Sequence, residues 1–437
     1  MAQLARSLTR LNATAMVAGT IIGASIFVQP SEIARHLDTP TAIMTAWIAC
    51  GVLTLFGAFV CAELASAFPQ TGGMYVFLRE TFSPLAGFLW GWAMFWSVHS
   101  GIIAAIAVVF GRYASVFLPP EMQTDTTVRV LAVGVILGLS AVNYVGVRSG
   151  GRVQTVLTIV KVAAIAALVI AGFLFAAPVS PVPAADLSGD RGVTPFVLAM
   201  VAGLFAYGGW HMVTYTAGET TMPAKTVPVA LVVGVGIVTA CYVLVNLVYL
   251  RLLSLDEIRA STRIAADAAD VVLGRGGAMM LGVLVILSTV GSLTGIILTG
   301  PRMYYSMAGD GLAPRALTYV HPRFRTPSVA ITAQAIWASV LAGTGVYREL
   351  FTRVVYTEWL FFALMAAGLF VLRRRRDYHP EYRTWGYPVV PIVFILASLG
   401  IVLHQFVIDP REAIFGLGLV AVGVPVYYLR HANRRLP

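Results

Sequence analysis

The sequence predicts an all-α membrane protein of twelve transmembrane helices, with the first and sixth helices broken near mid-membrane. Composition is the first reason. Of 437 residues, 58% are hydrophobic and only 11% charged, with a mean hydropathy of +0.82, far from the make-up of a soluble domain. The second is the recurrence of apolar runs near the length of about 20 residues that crosses a bilayer. They fall near 12–34, 41–68, 84–117, 128–147, 153–176, 194–218, 226–250, 277–306, 327–345, 352–372, 388–408 and 412–430. The third is a pair of small-residue strings, Gly19-Thr-Ile-Ile-Gly-Ala-Ser-Ile-Phe27 in span one and Gly203-Leu-Phe-Ala-Tyr-Gly-Gly-Trp210 in span six, whose glycines hold helix poorly.

Span one runs from Asn12, a candidate N-cap, to about Pro30. Gly19 and Gly23 alone fit close helix packing, and the adjoining Ala24-Ser25 shifts the reading toward an unwound centre. Lipid tolerates broken backbone only where protein buries it or a cavity waters it. A break at Gly23 to Ser25 therefore implies an internal site whose freed amides attract an anion. Interruptions in the first span of each five-span block point to inverted repeats around a midplane site. The expected division is a first repeat over 1–177, a second over 194–372, and two added helices over 388–430.

Span two ends in Cys61-Ala-Glu-Leu-Ala-Ser-Ala-Phe-Pro69, and Pro69, Gly72 and Gly73 force a turn into a short re-entrant or interfacial helix. Glu63 there reads as snorkelling or capping. His99 in span three has no second ligand at metal spacing, so no metal or cofactor is expected. Lys161 is the one lysine within a span. An ammonium at that depth costs about 2.5–3.5 kcal/mol unless it snorkels to the edge, finds a partner or gives up its proton. The strip Ser288, Thr289, Ser292 and Thr294 is expected to bond back to its own helix. Glu358, with Trp359 in span ten, is costly unless it faces a cavity, which makes both candidate pocket residues.

The net charge of +10 reflects topology rather than a nucleic-acid partner. Threading twelve spans puts 18 of the 30 Lys and Arg residues, Arg302 and the Arg373 to Arg376 run among them, on the side of the two termini. Both termini are accordingly expected in the cytoplasm, with Arg373 to Arg376 a stop signal at a helix end. Cys50, Cys61 and Cys241 lie in apolar spans and read as small buried hydrophobes. The first apolar run continues to full span length, unlike a cleavable signal peptide.

Thr20-Ile-Ile-Gly-Ala-Ser-Ile-Phe-Val28, Ala62-Glu-Leu with Gly72-Gly73, Arg152-Val-Gln with Lys161, Phe205-Ala-Tyr-Gly-Gly-Trp210, and Leu372-Arg-Arg-Arg-Arg with Tyr382-Arg-Thr-Trp-Gly-Tyr-Pro388 resemble motifs of the amino acid–polyamine–organocation superfamily. Within it the chain looks most like the L-type amino acid transporters, through nearly its whole length. The resemblance implies a LeuT-like fold with spans 1–5 and 6–10 as inverted repeats. It implies that the amides of Gly23, Ala24 and Ser25 hold a substrate α-carboxylate. Carbonyls around Ile21, Phe205, Ala206 and Gly208 would hold its α-ammonium, and the Phe205 ring would gate the site. Lys161 would bridge to the unwound part of span one, where sodium-driven relatives hold a cation, which suggests sodium independence. Ser25 departs from the glycine usual at the third small position. The 118–125 loop lacks the cysteine that joins animal members to a glycoprotein subunit, so a prokaryotic inner-membrane protein without that disulfide-linked partner is expected.

Taken together the residues predict alternating-access exchange of amino acids. The alternatives are proton symport with Lys161 titrating, and polyamine/amino acid antiport. An enzyme would need a cluster of His, Cys or carboxylates at one depth, and a channel a repeated filter or charged ring. Neither is present in the sequence.

Overall fold

A computed structural model describes residue 4 and residues 6–174, 193–261, 263–273, 277–345 and 347–432. The described residues are helical, with one isolated parallel bridge between Leu8 and Thr220. Nine of the helices are long and apolar enough to cross a membrane, and two apolar helices, Ser328–Thr344 and Tyr356–Leu372, are shorter. The first span is absent from both groups because its helix is interrupted. It comprises α1 (Arg10–Ile21), a 3₁₀ turn (Ala24–Phe27) and α2 (Gln29–His36). Thr9, not Asn12, caps α1; Asn12 sits three residues on and returns the bond to the Thr9 amide, completing a capping box.

The chain continues through α3 (Pro40–Ala67), α4 (Met74–Thr81), α5 (Pro84–Ser115, with a π turn at Met94–Val98), α6 (Asp125–Val145) and α7 (Val147–Leu174). After the undescribed 175–192 segment come α8 (Val193–Ala206), a 3₁₀ helix (Trp210–Glu219), α9 (Pro223–Leu252), α10 (Leu255–Ala260) and α11 (Ile264–Leu273). Helices α12 (Gly277–Gly309), α13 (Ser328–Thr344), α14 (Tyr347–Leu372), α15 (Val389–Ile408), α16 (Pro410–Ala421) and α17 (Gly423–Ala432) complete it. Arg434 and Arg435 lie outside the described residues.

α1 is the central element. It packs on α7, α9 and α12 and is buried from Ala15 through Ile21. The small residues explain the close fit: a Cβ at Gly19 would strike Thr158 and Gln154 on α7, and one at Gly23 would come 3.0 Å from the Ser292 hydroxyl on α12. The helix-packing reading of these glycines and the unwinding reading are therefore both realised.

On the face of the chain termini the interior is pinned by ion pairs. Arg302, on α12, is fully buried and grips Glu219, at the end of the 3₁₀ helix, at 2.6 Å and 3.2 Å. Arg302 is thus an internal clamp rather than a topological surface charge. Glu63 also departs from the capping expectation. Fully buried, it accepts from Arg373 at 2.9 Å and 2.6 Å and from the Thr384 amide at 2.6 Å. Arg375 donates to the carbonyls of Glu80 and Thr81 at the end of α4, so the basic run ties helix ends together as well as ending a span. Ser7 and Leu8 donate their amides to the Glu219 carbonyl, closing the N-terminal segment over the same face.

Removing one partner of a buried pair strands the other charge at a cost of roughly 3–5 kcal/mol. Arg302→Met is therefore expected to lower the thermal midpoint in detergent sharply, and Arg302→Met with Glu219→Leu to recover most of the loss. A double variant no more stable than the single one would show that the pair does not act as a unit.

Candidate functional site

The site begins where α1 stops. The Ile22 amide still reaches the Ala18 carbonyl at 2.8 Å, but Gly23 turns extended with φ −117° and ψ −154°. The 3₁₀ turn that follows leaves the amides of Gly23, Ala24 and Ser25 ahead of its first internal bond. The span-six break has a different shape. Tyr207 donates to the Gly203 carbonyl and Gly208 to that of Phe205, at 3.2 and 3.1 Å. Gly209 then takes φ +95°, left-handed backbone that glycine adopts without penalty, and the chain re-enters as the 3₁₀ helix.

Lys161 is 1% exposed and does not snorkel. Its Nζ donates to the carbonyls of Gly19 at 3.0 Å and Ile22 at 2.7 Å and to the Ser292 hydroxyl at 3.3 Å. An ammonium has three protons, and three acceptors meet them. Each bond from a charged donor contributes about 1.5–3 kcal/mol, enough together to offset the insertion cost. The Ser288 and Ser292 hydroxyls also lie within 3.4 Å and 3.1 Å of the Ile22 carbonyl. Two members of the hydroxyl strip thus cross to α1, while Thr289 and Thr294 bond back to Ile286 and Val290 of their own helix.

Tyr242, on α9, was not singled out by the sequence. Its hydroxyl lies 3.0 Å from the Ile21 carbonyl and 3.1 Å from that of Ala206, joining the two breaks. Both carbonyls are among those assigned to an ammonium, so in this arrangement they share one phenolic proton. Thr20 makes a second, longer link, 3.4 Å from the Gly209 carbonyl. The only sequence signal for Tyr242 is a hydroxyl in mid-span, which nothing in one chain aims at a carbonyl 221 residues away.

The two breaks face one cavity of about 560 Å³, within the range of small-ligand sites. Ile21, Gly23, Ser25, Phe205, Ala206, Gly208, Glu358 and Trp359 all line it. Ala24 contributes its backbone to the break; Lys161 sits behind the wall. Val28 and Phe205, both lining residues, are 37% and 38% exposed, so the cavity wall is accessible there. The remaining wall is mostly apolar, from Ile102, Ile106 and Val109 on α5 to Ile401 on α15, with Thr20, Gln29, Thr54 and Gln405 as polar members. Among the described residues no group of three His, Cys, Asp or Glu side chains could hold a metal ion.

A pocket between two broken helices in an apolar bundle is the arrangement expected of a membrane protein with a small-molecule site. The family model described as amino acid permease matches residues 8–420, and the chain belongs to that family, within the amino acid–polyamine–organocation superfamily. It is 30% identical over 432 residues to the cystine/glutamate transporter of Homo sapiens, covering 98% of this chain and 85% of that one. To the serine/threonine exchanger SteT of Bacillus subtilis (strain 168) it is 30% identical over 435 residues, covering 97% of each. The b(0,+)-type amino acid transporter 1 of Homo sapiens is 30% identical over 435 residues, covering 98% of this chain and 88% of that one. The protein is therefore a multi-pass membrane protein of an amino acid transporter family, and exchangers are among its relatives.

Tyr242→Phe removes the shorter of the two links between the breaks and leaves two buried carbonyls short of a donor, at a cost of roughly 1–3 kcal/mol. The expected result is a lower thermal midpoint with little change in expression. An unchanged midpoint would mean that the carbonyls find other donors and the bridge contributes nothing.

Proposed function

We propose that the protein exchanges amino acids across the bacterial inner membrane by alternating access, without sodium and without a disulfide-linked heavy subunit. The observation that carries this reading is the Lys161 Nζ seated on the Gly19 and Ile22 carbonyls, where a coupling cation would otherwise sit. In the proposed arrangement the two short apolar helices and the interrupted 10–36 segment join the nine long helices as twelve spans, in a LeuT-like 5+5 inverted repeat with two helices added. Both termini face the cytoplasm, so the open cavity faces outward and the Arg302–Glu219 clamp closes the inward path.

The amides of Gly23, Ala24 and Ser25 receive the substrate α-carboxylate, favoured by the helix-end dipole and by their lack of an internal partner. The α-ammonium goes to the carbonyls around Ile21, Phe205, Ala206 and Gly208, displacing the Tyr242 hydroxyl from one of the two it spans. Phe205 swings over the bound substrate as a lid. Closure then requires α1 and the span-six helices to move relative to α7 and α12, so the Lys161 and Ser292 bonds must loosen and re-form. Names among the relatives support exchange: the serine/threonine exchanger SteT matches over nearly its full length.

Two measurements test the proposal. In liposomes, uptake of a radiolabelled neutral amino acid is expected to need internal amino acid and to ignore a sodium gradient; N-acetyl and methyl-ester derivatives should compete at least tenfold less well than the parent, about the 1.4 kcal/mol that one modest polar contact supplies. Uptake into empty vesicles driven by a pH gradient would replace exchange with proton symport. Lys161→Ala should slow exchange by about an order of magnitude or more while changing substrate affinity less, because the lysine touches the moving helix and not the cavity. An unchanged exchange rate would remove Lys161 from the coupling mechanism.

A further inference from the structure

Three glutamates are buried in the described structure: Glu63, Glu219 and Glu358. Two of them are met by arginine at 2.6 Å, Glu63 by Arg373 and Glu219 by Arg302. Glu358 is not. Among the described residues the fully buried lysine and arginine, Lys161 and Arg302, are committed to the α1 carbonyls and to Glu219. The basic group beside Glu358 is His211, whose Nε2 lies 3.7 Å from the carboxylate Oε1, beyond hydrogen-bond length. Oε1 is buried and has no hydrogen-bond donor, and both ring nitrogens of His211 are likewise unmatched. His211 is held in place by rings, with Trp90, Trp210, Tyr215 and Phe362 all packed within 5.6 Å of its centre. An imidazole need not carry charge, so it does not neutralise a carboxylate as a guanidinium does.

Glu358 is 8% exposed, and it lines the same cavity as the two helix breaks. A carboxylate with a buried, donorless Oε1 in a largely apolar membrane cavity is costly. The cost disappears when a cation arrives, and the cavity is where one arrives. The wall between offers methylene-sized contacts from Ile102, Ile106 and Met212, and the aromatic rings of Trp210 and Trp359 for a cation's approach. We infer that Glu358 binds the side-chain cation of the substrate, so that the transported class includes amino acids with a terminal ammonium or guanidinium. This inference rests on the amino acid transport reading above. It adds a second charged pole, facing the side chain, to the backbone pole that takes the zwitterion.

The discriminating pair is lysine and norleucine, which share chain length and differ in the ε-ammonium. Their binding to the purified full-length protein is measured by calorimetry or thermal shift at neutral pH. Lysine is expected to bind about a hundredfold tighter, in line with a desolvated charge pair, and in Glu358→Gln the lysine-to-norleucine ratio should fall to about one. His211→Gln should lower the same ratio less, since the imidazole lies near the carboxylate at 3.7 Å without bonding it. Norleucine binding as tightly as lysine in the wild type overturns the inference and leaves amino acid transport standing; this arm needs no variant to fold. Binding of none of the common amino acids overturns the transport reading itself. A Glu358→Gln protein that keeps its preference for lysine, or that loses pH-driven uptake of both compounds equally, also overturns the inference, the latter by making the carboxyl a proton site.

Discussion

A helix broken inside hydrocarbon exposes carbonyls that no lipid can bond, and the Lys161 ammonium on the end of α1 is this chain's answer to that constraint. Gly19 and Ile22 present their oxygens where the helix loses its next turn, and Nζ takes both. The arrangement stabilises both partners, because the ammonium would be as costly alone as the carbonyls. It also explains the near neighbours. Gly19 is small so that α7 can approach, and Ser288 and Ser292 line α12 so that further donors reach Ile22.

From that contact the rest of the site follows. With the carbonyl end of α1 held by α7 and α12, Gly23 and Ser25 follow the break and line the cavity. Tyr242 carries the constraint across to the second break, so that two interruptions 185 residues apart in sequence are registered by a hydroxyl between Ile21 and Ala206. On the exchange reading proposed above, one face closes while the other is open, and the Arg302–Glu219 pair closes its own. Their pairing is dry and bidentate, and its breakage would be as costly as its formation is specific. A clamp of this kind suits a two-position machine, since it is either made or fully undone.

The buried acids show how one residue type serves different ends. Glu63 and Glu219 are fastened to arginines and tie helices together. Glu358 has the same burial without the partner, and its surroundings are those of a cavity wall instead of a helix seam. What separates a structural carboxylate from one poised for a ligand is therefore its neighbours in space, not its depth.

Much of this was legible in the chain. Period, run length and the shortage of charge determine a bundle of membrane helices, because a bilayer admits few other solutions. Glycine clusters mark both breaks because helix propensity is local. The cost of an intramembrane lysine likewise singles out Lys161 before any contact is known. The capping error is local too: Thr9 and Asn12 compete for one helix start, and composition does not choose between them. What only the tertiary structure decided was partnership. Arg302 and Arg373 read as surface charge until Glu219 and Glu63 are seen beside them, and Tyr242 is one more aromatic in an apolar helix until two carbonyls converge on its hydroxyl. A sequence states what each group costs to bury; which distant group offsets that cost depends on how the helices pack.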